Sequence, residues 1–205
     1  MKVLLINGSP HKEGNTALAL KEIARTLEKN GIDTEIVHLG TQAMRGCIAC
    51  GKCRQLGRCV FHDDVYDRIE TLLKEGIDGF IVGSPVYYAG PNGSVCALLD
   101  RVFFSLGGYL QFKPAASVAV CRRSGATATF DRLNKYFTIN NMPVVSTFYW
   151  NNVHGAAAGE AARDEEGMQS MRAIGENMTW LLRSISEGKQ DLPVQEPRKM
   201  TNFIR

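Results

Sequence analysis

KVLLINGSPHKEGNTALALKEIARTLEK, residues 2 to 29, is the stretch on which the fold turns. Lys2 to Asn7 is a continuous apolar run closed by Gly8, the pattern of a strand covered on both faces. Beyond it Leu20, Ile23, Ala24 and Leu27 recur at helical spacing. Asn15 or Thr16 can cap the start of that helix, and Gly31 supplies a left-handed stop. A strand that feeds a helix through a short polar loop is the unit of an α/β protein, so the rest of the chain is read for its repetition.

The alternation recurs to the end. Thr34 to Leu39 reads as a second strand, and Asp63 or Asp64 opens a helix with Val65, Ile69, Leu72 and Leu73 on one face. Ile77 to Val82 is the third strand, and Val95, Leu98, Leu99 and Val102 mark the next helix. Ala116 to Val120 is a strand, Phe130, Leu133 and Phe137 a helix, and Pro143 to Tyr149 the fifth strand. Met171, Ile174, Met178, Leu181 and Ile185 form the last helix, after a small, polar excursion over residues 150 to 166. Five buried strands with right-handed crossovers give a five-stranded parallel sheet with helices on both faces. At this level the Rossmann order and the flavodoxin order 2-1-3-4-5 are both open.

The 205 residues suit one medium domain, expected over residues 1–188, with an irregular tail over 189–205 that packs on a partner subunit. The chain is 44% hydrophobic and 22% charged, and its net charge of +3 is too small to argue for a nucleic-acid partner. No window approaches the roughly 18 apolar residues that span a bilayer. The apolar run before Asn7 is shorter than the core of a signal peptide, so a cytoplasmic protein is expected. Six cysteines in a reducing compartment point to metal, redox chemistry or plain burial rather than to structural disulfides.

Two loops emerge at adjacent strand ends. GSPHKEGNT, residues 8 to 16, lies where helix-start amides and the helix dipole favour an anion. Ser9, Thr16 and the amide of Asn15 can donate to a phosphate, and His11 and Lys12 add positive charge. Neither GxGxxG nor GxxxxGK[ST] is present, which suits a single terminal phosphate better than a pyrophosphate. A helix cap followed by a turn would use the same residue types. GSPVYYAGPNG, residues 83 to 93, has two prolines and three glycines that fix an unusual path, and Tyr87 and Tyr88 offer flat faces to a planar ring. Together the loops suggest a mononucleotide.

These two motifs, with LLDR at 98 to 101, resemble the NADPH-dependent FMN reductase family of flavodoxin-like proteins. The resemblance implies the order 2-1-3-4-5, bound FMN and NAD(P)H as co-substrate. Carried over by position, it implies phosphate contacts from Ser9, His11, Asn15 and Thr16, with Gly14 in the same loop. Ring contacts fall to Pro85, Val86, Tyr87, Tyr88 and Gly90. CRRSGAT, residues 121 to 127, matches the family's loop beside the flavin and brings in Arg122, Ser124 and Gly125. No residue is assigned as a general acid or base, because the flavin carries the chemistry.

CIACGKCRQLGRC, residues 47 to 59, sets Cys47, Cys50, Cys53 and Cys59 at C-x2-C-x2-C-x5-C. Three thiols at successive i, i+3 positions can wrap a compact inorganic cluster, with the fourth closing the shell. Structural zinc sites usually join two knuckles from separate parts of the chain. Residues 41 to 62 carry Arg45, Lys52, Arg54 and Arg58 and no carboxylate before Asp63, a surplus that suits thiolates, an anionic cluster or the phosphates of NAD(P)H. A cluster-free loop, a reversible disulfide or a subunit contact are the alternatives. The spacing, followed by Asp63 and Asp64, resembles the iron-sulfur flavoprotein branch of the same family. That resemblance implies a 4Fe-4S cluster exchanging electrons with FMN in a homodimer or homotetramer, and a small-molecule or protein electron acceptor. Without a cluster, two-electron reduction of a quinone, nitro or azo compound or of free flavin is the natural use, and a non-enzymatic flavin carrier is a third reading. Cys96 and Cys121 read as buried small hydrophobes, and His154 as a surface histidine within reach of the same site.

Overall fold

Alternation along the strands sends each buried side chain into one of two helical layers. In a computed structural model describing residues 1–188, 192–197, 199 and 201, Val3 and Leu5 point to one face and Leu4 and Ile6 to the other. The strands are β1 (Lys2–Asn7), β2 (Asp33–His38), β3 (Gly79–Tyr87), the two-residue β4 (Gly90–Pro91), β5 (Ala115–Cys121) and β6 (Asn152–His154). The helices are α1 (Asn15–Lys29), the single turn α2 (Cys53–Leu56), α3 (Asp64–Glu75), α4 (Gly93–Leu106), α5 (Ala126–Thr138) and α6 (Glu165–Glu187). Helices α1 and α6 cover Val3, Leu5, Ile81 and Val118, while α3, α4 and α5 cover Leu4, Ile6, Phe80 and Val82.

The parallel strands run β2-β1-β3-β5-β6, with β4 folded back antiparallel on the end of β3. Without that hairpin arm the order is the flavodoxin one. It puts the switch point between β1 and β3, whose loops leave the same sheet edge side by side. There the backbones approach closely: Gly8 N–H donates to the Gly83 carbonyl at 2.8 Å, and a Cβ at Gly8 would stand 2.7 Å from that oxygen. Asn92 seals the junction by donating through Nδ2 to Gly8 O at 2.7 Å and through its backbone N–H to Ser84 Oγ at 2.9 Å.

The fifth parallel strand departs from expectation. Pro143 to Tyr149 contributes only one bridge, Val144 to Ala115, and regular pairing begins at Asn152, opposite Ala119. Eight residues thus cover the distance that four cover on β5, and the surplus is extruded with Phe148, Tyr149 and Trp150 exposed. The apolar run was legible, but its aromatics serve the extrusion and not the ladder. Strand β3 also runs further than expected, because Pro85 pairs with Val120 at the strand's end, where its missing N–H costs little. Of the tail, residues 189–191, 198, 200 and 202–205 lie outside the described residues, and 192–197 have no regular structure. Among the described residues no helix is long and apolar enough to cross a membrane.

Tyr136 ties α5 to α4 by donating to Asp100 Oδ1 at 2.6 Å. Burial, reinforced by that carboxylate, pushes its phenol above the ordinary range. Burial likewise raises the thiols of Cys96 and Cys121. In all three the folded chain keeps a proton that the unfolded chain releases first, so stability is intact below the unfolded pKa and lost as pH climbs through the folded one. The melting temperature is expected to fall progressively above about pH 8.5, where free thiols begin to ionise, and further above about pH 10; a melting curve flat to the alkaline limit would contradict this. Gly8→Ala should lower stability by about 1–3 kcal/mol through the clash with Gly83, read as a drop in denaturant midpoint at unchanged slope.

Candidate functional site

The first turn of α1 begins at Gly14, whose extended backbone (φ −81°, ψ −174°) carries no capping side chain, and no acidic residue stands in that turn. The first intrahelical bond is Leu18 N–H to Gly14 O at 3.1 Å, so the amides of Asn15, Thr16 and Ala17 have no protein acceptor among the described residues. The loop before them is held from within. Asn7 Oδ1 accepts from Ser9 N–H at 3.1 Å, and Ser9 Oγ accepts from His11 N–H at 3.1 Å. Ser9 keeps its own hydroxyl proton free to donate. Glu13, the carboxylate of this loop, is drawn off by a hydrogen bond from the Lys21 ammonium, which also holds it below the usual carboxylate range.

A cavity of about 730 Å³ opens at this point. Ser9, His11, Gly14, Asn15 and Thr16 line it from the first loop, Pro85, Val86 and Tyr87 from the third, and Arg122 from the end of β5. Nine of the residues expected at a mononucleotide site thus share one space. Four others, Tyr88, Gly90, Ser124 and Gly125, lie outside its lining. Tyr88 sits at the hairpin tip between β3 and β4, in left-handed backbone (φ 58°) and exposed. Gly90 pairs with Tyr87, and Ser124 is exposed. Gly125 starts α5 with φ 90°, and a Cβ there would meet Val86 Cγ1 at 2.8 Å, so it governs how closely α5 approaches the wall.

The lining residues Gly155, Ala156 and Ala158 come from a further stretch of chain that the reading of the sequence did not assign to the site. They belong to the loop after β6, part of the small, polar excursion read over residues 150 to 166. The amide of Asn15 holds that loop, donating through Nδ2 to Ala157 O at 2.9 Å and accepting at Oδ1 from Ala161 N–H at 3.1 Å. Asn15 was expected to donate its side-chain amide to phosphate; one Nδ2 hydrogen and Oδ1 are instead engaged in fastening the loop, which leaves the second Nδ2 hydrogen and the backbone N–H for an anion. His154 lies outside the lining, with Nδ1 at 3.3 Å from Asp164 Oδ2. Cys121, read as a core residue, is buried and also lines the cavity.

The cysteine segment forms a second cavity, of about 250 Å³, lined by all four of Cys47, Cys50, Cys53 and Cys59. Left-handed backbone at Ala49 (φ 54°), Gly51 (φ 70°) and Gly57 (φ 66°) turns the chain around it. Ala49 N–H donates to Cys47 Sγ at 3.4 Å. All four thiols are unpaired, with Cys47 and Cys50 exposed. Among the described residues no three His, Cys, Asp or Glu side chains converge as a single metal ion would require; the thiols bound a volume and do not meet at a centre. Behind them Arg101 is buried, pairing with Asp63 and donating to Phe61 O at 2.7 Å. Burial opposes its charge, but Asp63 and the Cys59 thiol outweigh that and raise its pKa.

The comparisons with known proteins agree with this geometry. A family model described as NADPH-dependent FMN reductase matches residues 1–157. An iron-sulfur flavoprotein of Methanocaldococcus jannaschii is 34% identical over 195 residues, 91% of this chain and 100% of the relative. An iron-sulfur flavoprotein of Methanosarcina thermophila is 28% identical over 92% of this chain and 99% of its own length. Among solved structures, RosB with bound 8-demethyl-8-formylriboflavin-5'-phosphate gives a TM-score of 0.70 at 14% identity, covering 100% of this chain and 94% of that one. A flavodoxin from the domain Archaea gives 0.56 at 16% identity over 87% and 99% of the two chains. These two establish a flavodoxin-like fold and nothing more. The chain belongs to the NADPH-dependent FMN reductase family, a class of flavin-dependent oxidoreductases. Within it the full-length match and the four-cysteine segment assign the chain to the iron-sulfur flavoprotein branch.

If Asn15 fastens the loop after β6, Asn15→Ala removes two hydrogen bonds worth about 1 kcal/mol each. Amide exchange at Ala161 is then expected to accelerate at least tenfold while β1 and β3 stay protected; unchanged exchange at Ala161 would contradict the assignment.

Proposed function

We propose that the chain is an FMN-dependent NAD(P)H oxidoreductase whose four cysteines hold a 4Fe-4S cluster. The observation that carries the first half is the uncapped start of α1 opening into a cavity that the third loop also walls. FMN fits this space. Three free amides, the Ser9 hydroxyl and Thr16 would hold its terminal phosphate, with the Lys12 ammonium and the His11 ring also lining the cavity. A Cβ at Gly14 would come within 3.1 Å of His11 Cβ and 3.8 Å of Ser9 Oγ, so glycine keeps the cradle open. Pro85, Val86 and Tyr87 would wall the ring, and the volume of about 730 Å³ lies in the range of cofactor sites. Bound FMN would supply acceptance of hydride from reduced nicotinamide and release of electrons singly or in pairs.

The residues do the rest. Arg122 at the cavity rim would attract the phosphates of NAD(P)H toward the exposed side. The loop fastened by Asn15 would narrow access on the opposite wall and shelter the site from water. No side chain need shuttle a proton.

The thiol cavity suits a group larger than one ion. A zinc site needs four ligands about 2.0–2.3 Å from a common centre, whereas these thiols line about 250 Å³ without converging. The Ala49 N–H to Cys47 sulfur bond and the nearby buried guanidinium favour sulfur that carries negative charge. A cluster there would pass electrons one at a time, which favours a one-electron acceptor over a quinone, nitro or azo compound.

Anaerobically purified protein is expected to show flavin bands with a broad underlying absorption, to contain iron and sulfide in equal amounts, and to lose its flavin colour on addition of NADPH or NADH. Cys47→Ala, at an exposed position, should abolish the iron and keep the flavin. Colourless protein that takes up no added FMN would overturn the flavin reading; flavin without iron or sulfide would overturn the cluster.

A further inference from the structure

Arg101 is the largest fully buried side chain among the described residues and lines the thiol cavity. Its two terminal nitrogens are engaged. Nη1 pairs with Asp63 and stands 3.5 Å from Arg45 O, and Nη2 donates to Phe61 O at 2.7 Å. The guanidinium lies 4.6 Å from the centre of the Tyr66 ring, and the Tyr66 hydroxyl accepts from Cys59 N–H at 2.8 Å. Arg101 therefore spans the segment, holding a carbonyl on either side of the four cysteines.

The third nitrogen differs. Nε is buried and has no hydrogen-bond partner among the described residues. A buried N–H without an acceptor is costly. Phe61 O, Arg45 O and Asp63 are all served without Nε. An orphaned donor on a residue that lines a cavity of four thiols calls for an acceptor inside that cavity, and sulfur carrying negative charge is the chemistry that fits.

We infer that Arg101 is a potential-setting residue: it donates its Nε–H, with a full buried positive charge, to the sulfur of the group held by Cys47, Cys50, Cys53 and Cys59. The inference rests on the cluster reading above. Reducing the cluster adds one electron and one negative charge, supplied in the test by dithionite through mediators. A hydrogen bond and a buried cation both favour the more negative state, so Arg101 raises the midpoint potential. Lys52 and Arg54 are exposed, and although Arg54 also lines the cavity, water and salt screen their charges more than that of buried Arg101.

The test uses the full-length protein and two variants, Arg101→Lys and Arg101→Gln. Arg101→Lys keeps a charge but loses the Nε–H and the second arm; Arg101→Gln loses the charge. Iron and sulfide are assayed first, and the potential is read by electron paramagnetic resonance during a reductive titration. A tenfold smaller reduced-to-oxidised ratio at fixed potential, which for a one-electron couple is about 59 mV, is expected at the least for Arg101→Gln, with a smaller shift of the same sign for Arg101→Lys. Wild-type protein labelled with nitrogen-15 arginine should also show a nitrogen coupling in the reduced cluster's spectrum that Arg101→Lys lacks, a readout that stands even if Arg101→Gln fails to fold. A brace without electronic influence would lower cluster content and leave the potential of the remaining cluster unchanged; that result, or absence of the coupling, overturns the inference. Wild-type protein without iron and sulfide would instead remove the cluster reading on which it stands.

Discussion

Parallel pairing of β1 with β3 ends in one backbone hydrogen bond, from Gly8 N–H to Gly83 O, and the site depends on it. The bond aligns the two loops that leave the sheet edge, so that α1 starts beside the wall built by Pro85, Val86 and Tyr87. Asn92 locks the alignment from α4 by bonding both Gly8 and Ser84. Neither loop could hold a mononucleotide alone: the first offers amides without a wall, and the third a wall without charge. The absence of a Cβ at Gly8 lets the two backbones approach, and the uncapped helix start then becomes a place for an anion instead of a defect.

The thiol cavity is organised on the opposite principle. Its backbone has only one single-turn helix, α2, to hold it, and it relies on a side chain from the core. Arg101 reaches from α4 to the carbonyls of Arg45 and Phe61 and to the carboxylate that caps α3. Burying a guanidinium is costly unless its donors are met, and the unpartnered Nε–H is left for whatever the cysteines hold. Stability and redox tuning thus meet in one residue of the LLDR motif.

Much of this was legible in the sequence, for reasons that differ by element. The strands and helices of the β1–α1 unit show because their burial is periodic: Leu20, Ile23, Ala24 and Leu27 are all buried. The two loops show because strand ends at the switch point carry ligands as a matter of topology. Other features do not show. The aromatic run Phe148 to Trp150 has strand composition and is extruded, since composition does not register an insertion in the ladder. Asn15 has the right chemistry for phosphate, yet its amide also fastens a loop some 140 residues away, a long-range bond that no local pattern encodes. Arg101 sits in an apolar helical stretch where a charge is unexpected, and that incongruity was the available signal.

A phosphate held by the amides at the start of α1 is tested most directly by a calorimetric comparison of FMN with riboflavin on flavin-free protein. The two share the ring and differ in the phosphate alone. Hydrogen bonds to a charged group are worth about 1.5–3 kcal/mol each, so two or more of them predict an affinity for FMN at least 100-fold above that for riboflavin. Equal affinities would contradict the account, because the ring alone would then carry the binding and the uncapped helix would have no ligand.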